Sequence, residues 1–326
     1  MSRIHDALKK AEQERGIGAG ADNSPSLSRE DVADGDLTSS ATALGLDTRE
    51  DLMQQEIPAS AASVMMPAAG PLEYLRFDEL KKRCAHPVWN PDPNVNVFIN
   101  STLSEHGAEQ FRTLRSRLYQ SRNNQQLRSL LVTSSVPGEG KTFVTVNLAQ
   151  AIVRQPDRRA IIIDADLRCA RVHTLLGAPA APGLTDYLRG EADESKIIQF
   201  GPEGNLCLIP GGSEVTNPSE LLSNGRLGVL LKRLAPVFDW IILDSPPCLP
   251  VADSSILAGI CDGVLLVVKS GSTPSAVAQR ARQELQTRNI VGVVLNNVGE
   301  AHMYNSEYYH AYRYGYGNES LKADHK

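Results

Sequence analysis

An open, mainly parallel α/β sheet with helices on both faces is the fold class this chain predicts, and three observations lead there. Beyond Pro91, runs rich in Ile, Val and Leu recur at strand length without apolar/polar alternation, as strands buried on both faces require. Amphipathic stretches of helical length separate them, so successive strands are joined by right-handed crossovers. The chemically unusual residues fall just past the runs, at the carboxyl ends of the strands, where ligands collect in such sheets.

The chain begins outside that pattern. Ile4, Ala7, Leu8 and Ala11 form one apolar stripe with Ser2 placed to cap it, which predicts an amphipathic helix over residues 1–15. So short a helix is unstable alone in water and reads as a docking peptide in need of a surface; the plainer reading is a frayed end. Residues 16–94 read as a flexible acidic linker with room for a short helix. From Gly16 to Pro71 small and acidic residues dominate without a sustained period, and residues 21–60 hold nine acidic side chains against two basic ones. This linker accounts for the net charge of −5 and leaves the remainder near neutral, which argues against nucleic acid as a main partner.

The folded domain is expected over residues 95–299. A helix over 109–122 leads into strands at 129–133, 160–164, 206–210, 240–244, 263–268 and 292–296, with helices over 143–154 and 276–288 among the crossovers. Asn217-Pro218-Ser219-Glu220 reads as a capped helix start. The five cysteines are scattered and include no CxxC pair, so they read as reduced, mostly buried thiols rather than a disulfide framework or a zinc site. The seven histidines show no metal-ligand spacing. No apolar run approaches the roughly 20 residues that span a bilayer, and the expected location is the cytoplasm.

Chemistry enters after the first strand. Ser134-Ser135-Val136-Pro137-Gly138-Glu139-Gly140-Lys141-Thr142 is a P-loop in which Ser135 replaces the usual first glycine. Gly138 and Gly140 let the backbone wrap phosphates, the following helix adds its dipole, Lys141 supplies charge to the β and γ phosphates, and Thr142 offers a hydroxyl to Mg²⁺. The expected nucleotide contacts are Val136, Pro137, Gly138, Glu139, Gly140, Lys141, Thr142 and Phe143. The second strand ends in Asp164-Ala165-Asp166-Leu167-Arg168, whose two carboxylates and arginine suit metal coordination, proton acceptance and charge pairing. Alone, Asp-x-Asp at a strand end is often turn chemistry; some twenty residues after a P-loop it reads as functional. The run Ile241-Ile242-Leu243-Asp244-Ser245-Pro246-Pro247 delivers a third carboxylate, suited to the Mg²⁺ shell.

Together these three motifs resemble the Walker motifs of the bacterial tyrosine kinases, whose fold is P-loop NTPase-like. The resemblance spans about residues 95–318 and includes two further features. Glu109, Arg112 and Arg115 match the family's E-x-x-R-x-x-R helix, which implies contacts in a ring-shaped homo-oligomer; taken alone, the spacing describes an exposed helix with ion pairs. The tail over 300–326 carries Tyr304, Tyr308, Tyr309, Tyr312, Tyr314 and Tyr316, matching an autophosphorylation cluster, where composition alone describes a sticky disordered end. The resemblance implies an ATP- and Mg²⁺-dependent protein-tyrosine autokinase that phosphorylates this tail in trans. Lys141 would sit on the phosphates, Thr142 and Asp244 around the metal, and Asp164 would accept the tyrosine proton, with Asp166 as the other candidate base and Asp164 and Asp166 also candidate metal ligands. Asn296 falls where the wider superfamily contacts adenine, or is a turn asparagine. The family further implies a membrane activator, a polysaccharide co-polymerase that recruits the kinase to the inner face of the membrane, and a role in capsular or extracellular polysaccharide synthesis and export.

The rival reading is a partition or positioning ATPase of the same superfamily, a switch without kinase activity. Such switches carry a signature lysine early in the P-loop, where this chain has Val136, and often end in an amphipathic membrane helix rather than in tyrosines.

Overall fold

The computed structural model describes residues 76–99 and 104–298. The amphipathic helix expected over 1–15, most of the linker and the tyrosine-rich tail lie outside the described residues. Helices α1 (Phe77–Arg83) and α2 (Ser104–Asn124) precede strand β1 (Ser129–Ser134), and α3 (Lys141–Val153) leads to β2 (Ala160–Asp164). Three short helices, α4 (Val172–Leu176), α5 (Leu184–Arg189) and α6 (Glu194–Ile197), lead to β3 (Gln199–Phe200) and β4 (Leu206–Ile209). Then follow α7 (Pro218–Ser223), α8 (Arg226–Leu234), β5 (Trp240–Asp244), α9 (Asp253–Ala258), β6 (Gly263–Lys269), α10 (Ser275–Glu284) and β7 (Ile290–Asn296).

The seven strands form one sheet in the order β3-β4-β2-β5-β1-β6-β7, parallel except for the antiparallel pair β3–β4. Every residue of β1, β2 and β5 is buried, because helices cover both faces and the aliphatic runs supply apolar side chains to each. Alternate residues of these strands accordingly join different cores: Leu131, Ile161, Ile163, Ile241 and Leu243 pack on one face, Leu130, Val132, Ile162 and Ile242 on the other. Each such side chain, fully buried, contributes about 1.5–3 kcal/mol.

Three expectations change. Strand β7 starts at Ile290, ahead of Gly292, and is only partly covered along its length, with Leu295 44% exposed, because it is the sheet's edge. The helix expected over 276–288 stops at Glu284, and those expected from Glu109 and Phe143 start earlier, at Ser104 and Lys141. The largest change concerns residues 76–94, expected in the linker. They are packed on the domain: Phe77 lies edge-on to Phe200 and Phe238, with centroids 5.5 and 5.9 Å away, and Leu80, Cys84 and Trp89 are buried. Ala85 accepts a hydrogen bond from the Phe200 N–H, so the segment covers the β3 edge. Buried amides fasten its end to α3. Asn147 accepts from the Val97 N–H at 2.9 Å and donates to the Val95 carbonyl at 2.8 Å, while Gln150 donates to Asn96.

The five cysteines are free; Cys84, Cys207 and Cys248 are buried, and burial pushes the Cys84 and Cys248 thiols up to about 11 and about 12. No helix among the described residues is long and apolar enough to cross a membrane.

Candidate active site

The strand order explains why three motifs far apart in sequence meet. β5 lies between β2 and β1, with Asp244 in register with Asp164 on one side and with Val132 on the other. The Ala165 N–H donates to the Asp244 carbonyl at 2.8 Å, and the Ser245 N–H to the Val132 carbonyl at 3.2 Å. The carboxyl ends of β1, β2 and β5 are therefore locked side by side, and each delivers its motif to the same edge.

The P-loop takes its shape from two glycines and a glutamate. Gly138 and Gly140 have φ of 83° and 92°, a region that other residues enter at a cost, and a Cβ on Gly140 would also collide with the Asn296 amide. Gly140 begins α3 without a side-chain cap, so the first-turn N–H groups of a 13-residue helix stay available to a ligand. Glu139 points inward, 2% exposed. Its carboxylate accepts from the Val136 N–H at 2.8 Å, the Lys269 N–H at 3.3 Å and the Thr273 hydroxyl at 2.5 Å, and its carbonyl accepts from the Asn296 amide at 2.8 Å. Glu139 thus braces the loop from within and ties it to the ends of β6 and β7. The Ser135 hydroxyl, where a glycine is usual, is buried without a partner.

Lys141 is surrounded by acid. Its ammonium donates to Asp166 at 2.8 Å and lies 3.8 Å from Asp244. Burial works to lower its pKa, but Asp244 and Asp166 outweigh this and hold it above the ordinary lysine value. Asp244 accepts from the Thr142 hydroxyl at 2.7 Å and the Thr145 hydroxyl at 3.2 Å. Burial pushes the Asp244 carboxyl up, against the pull of Lys141. Asp164 is fully buried; one oxygen accepts the Val172 N–H at 2.9 Å and the other has no partner. Burial, then the Asp244 charge, push Asp164 well above the usual carboxylate range.

Other expected residues fall differently. Arg168, read as a charge partner at the phosphate site, instead forms an ion pair with Asp253 at 2.7 Å. Asn296 is turned onto the P-loop, and the Phe143 ring lies edge-on to Phe111 of α2 at 5.8 Å. Val136 is half-buried and Pro137 exposed on the loop's outer side. On α2, Glu109 and Arg112 form an exposed i, i+3 pair at 3.0 Å, whereas Arg115 reaches back to the Ala151 carbonyl of α3. Tyr304, Tyr308, Tyr309, Tyr312, Tyr314 and Tyr316 lie outside the described residues. Sequence reasoning missed Thr145, although its place one helical turn past Thr142 puts both hydroxyls on the face that meets Asp244.

This donor set fits a magnesium nucleotide. The Thr142 hydroxyl and the carboxylates of Asp244 and Asp164 offer the oxygen ligands that Mg²⁺ takes, and the unpartnered oxygen of Asp164 is a vacant acceptor at the same edge. Among the described residues no group of three or more His, Cys, Asp or Glu is arranged to cage a metal.

Comparison with known proteins adds the family context. Residues 130–322 match the CbiA family, described as the CobQ/CobB/MinD/ParA nucleotide binding domain. Tyrosine-protein kinase YwqD of Bacillus subtilis is 34% identical over 203 residues, 62% of this chain and 85% of the relative. Tyrosine-protein kinase CpsD of Streptococcus agalactiae is 31% identical over 196 residues, 59% of this chain and 83% of the relative. The solved kinase domain of the Escherichia coli tyrosine kinase ETK superposes with a TM-score of 0.56 at 34% identity, covering 59% of this chain and 75% of that one. Against the full-length etk kinase of the same species the match spans 28% of the relative.

Proposed function

The chain belongs to the bacterial tyrosine-protein kinases and carries a CobQ/CobB/MinD/ParA nucleotide-binding domain, and from that membership we propose that it transfers the γ-phosphoryl of Mg-ATP to tyrosines of its own C-terminal cluster, Tyr304 to Tyr316, in a neighbouring subunit. The observation that carries this reading is the convergence of Lys141, Thr142, Asp164, Asp166 and Asp244 on one sheet edge beside an open helix N-terminus. The relatives named above are kinases, which favours transfer over the switch-ATPase alternative.

Phosphoryl transfer asks a protein for position and charge more than for covalent chemistry. The α3 N-terminus and the Gly138–Gly140 backbone would bind the phosphates, while Glu139 holds that backbone in shape. Lys141 would leave Asp166 for the β and γ phosphates. Thr142 and Asp244 would hold Mg²⁺, which neutralises phosphate charge when bound. Asp164, with a raised pKa and a free oxygen, is the better proton acceptor for the tyrosine hydroxyl; Asp166, held by Lys141 and the Cys169 N–H, is the other candidate. The exposed Glu109–Arg112 pair and Arg115 are offered as subunit contacts of a ring. Each phosphate adds up to about two negative charges, so a heavily modified cluster would repel its neighbours and loosen the assembly. The setting we propose is cytoplasmic, at the inner face of the membrane beside a polysaccharide co-polymerase that activates the kinase, with control of capsular or extracellular polysaccharide synthesis and export as the outcome.

The test is intact-mass and phosphopeptide mapping of wild type and Lys141→Met after incubation with Mg-ATP at high protein concentration. Several phosphates within Tyr304 to Tyr316, in wild type only, are expected. Phosphotyrosine that survives truncation after Gly299 unchanged would overturn the assignment of the tail.

A further inference from the structure

Beside the carboxylates, three segments meet in a hydrogen-bonded knot that the reaction scheme above does not use. Asp253, at the start of α9, is fully buried, yet both of its oxygens are answered. Arg168 approaches it side-on, Nε to one oxygen at 2.7 Å and Nη2 to the other at 3.2 Å. The Ser219 hydroxyl, on α7, donates to Asp253 at 2.5 Å, and Arg168 Nη2 also donates to Ser219 at 3.1 Å. A planar guanidinium held by a two-pronged carboxylate contact has its direction fixed as well as its distance.

What this knot holds is the turn that carries Asp166. Arg168 follows Asp166 by two residues, and the Cys169 N–H donates to one Asp166 oxygen at 3.1 Å while Lys141 takes the other at 2.8 Å. On its other side the turn is continuous with β2 through Asp164. The Asp166 turn is thus pinned upstream by the sheet and downstream by Arg168. We infer that Asp253 and Ser219 are positioning residues: through Arg168 they fix the Asp164–Asp166 turn against Lys141, so that α7 and α9 set the geometry of phosphoryl transfer without touching the nucleotide. This rests on the kinase reading of the site. It also gives a reason for a fully buried aspartate at 253, since an unanswered buried carboxylate would be costly and Arg168 with Ser219 answers it.

The full-length chain, assayed with Mg-ATP and a soluble Glu/Tyr copolymer as acceptor, tests this through Asp253→Asn, Ser219→Ala, Ser219→Thr and Arg168→Ala. Asp253→Asn keeps the side-chain size, and kcat should fall about tenfold or more while KM for ATP stays within about twofold, as for displaced groups beside an intact binding loop. Ser219→Ala should show a smaller fall and Ser219→Thr, which keeps the hydroxyl, should restore the rate. The double variant Asp253→Asn/Arg168→Ala should be no slower than Arg168→Ala alone, because both act on one contact. Unchanged kcat in Asp253→Asn, or losses that multiply in the double variant, would overturn the inference, as would kcat and ATP binding falling together with a lowered melting temperature. A wild type inactive on copolymer and tail alike, even with a cytoplasmic segment of the co-polymerase added, would instead overturn the kinase reading, so the two failures are distinguishable.

Discussion

The two ends of the sheet handle acidic residues in opposite ways. At the amino ends, Asp239 accepts from Arg158 at 2.9 Å and from the Arg159 N–H at 3.0 Å, and Asp262 accepts from the N–H groups of Arg128 and Ser129 at 2.9 and 2.8 Å. Each of these carboxylates is matched locally. At the carboxyl ends, Asp164, Asp166 and Asp244 are nearly or fully buried and gather around Lys141, and Asp164 keeps one oxygen without a partner. The backbone at both ends is the same parallel sheet, so the contrast lies in the side chains. A site for phosphate and metal needs charge left unbalanced, whereas the opposite end needs only to close the loops.

Removing the cation breaks this contrast most severely. Lys141→Met should lower phosphotyrosine formation by about 10³-fold, the scale on which a charge on the transferring group acts. It should also cost about 3 kcal/mol of stability, because buried carboxylates lose the charge they share. Kinetics and urea unfolding of the same preparation check both. A variant as stable as wild type would mean that these carboxylates do not depend on the Lys141 charge in the folded chain.

Asp164→Asn should split activity from stability. Transfer falls by about 10²-fold or more if Asp164 is the general base, while the melting temperature rises by about 2–4 °C for each kcal/mol of burial cost removed. The pH dependence follows from the raised values. Asp164 and Asp244 hold protons in the folded chain at pH values where the unfolded chain has lost them, so their contribution to stability falls as pH climbs from about 4 through their raised folded values. Lys141 acts as a counterweight: its raised pKa contributes stability that is present in the acid and neutral range and is lost above its folded value. Thermal melts of wild type and Asp164→Asn between about pH 4 and about pH 8 should therefore show a shallower decline in the variant. Parallel curves would remove Asp164 as the origin of the slope.

How much of this was legible follows the same divide. Strands 160–164 and 240–244 were read to the residue, because an uninterrupted aliphatic run that stops at an aspartate has only one sensible end. That Lys141, Thr142 and Asp244 lie together at the sheet edge was legible because a P-loop and a strand-terminal carboxylate are local patterns. The packing of residues 76–94 was not, since Phe77, Leu80, Cys84 and Trp89 are spread among charged residues without a sustained period and bury themselves against distant parts of the chain such as Phe200 and Phe238. The two-residue strand β3 is too short for any period. Arg168 was read as facing phosphate because its true partner, Asp253, lies 85 residues away with no spacing rule to announce it. Local chemistry is written locally; long-range pairing is a product of the fold.

The smallest expected effect sharpens the comparison from the other end. Arg158→Ala removes an ion pair whose arginine is 45% exposed and whose aspartate is 22% exposed, together with a cation–π contact to Tyr119 at 5.5 Å. Water already screens this pair, so the loss should be about 1 kcal/mol or less, and salt should shrink it further. Asp239 keeps the Arg159 N–H and remains in place beneath β5. The rate of phosphotyrosine formation should be unchanged, because the sheet transmits no strain from a surface pair to strand ends fixed by backbone hydrogen bonds. A rate that nevertheless falls with Arg158→Ala, at unchanged melting temperature, would show that the two ends are coupled through β2 and β5, and that the amino end does more than close loops.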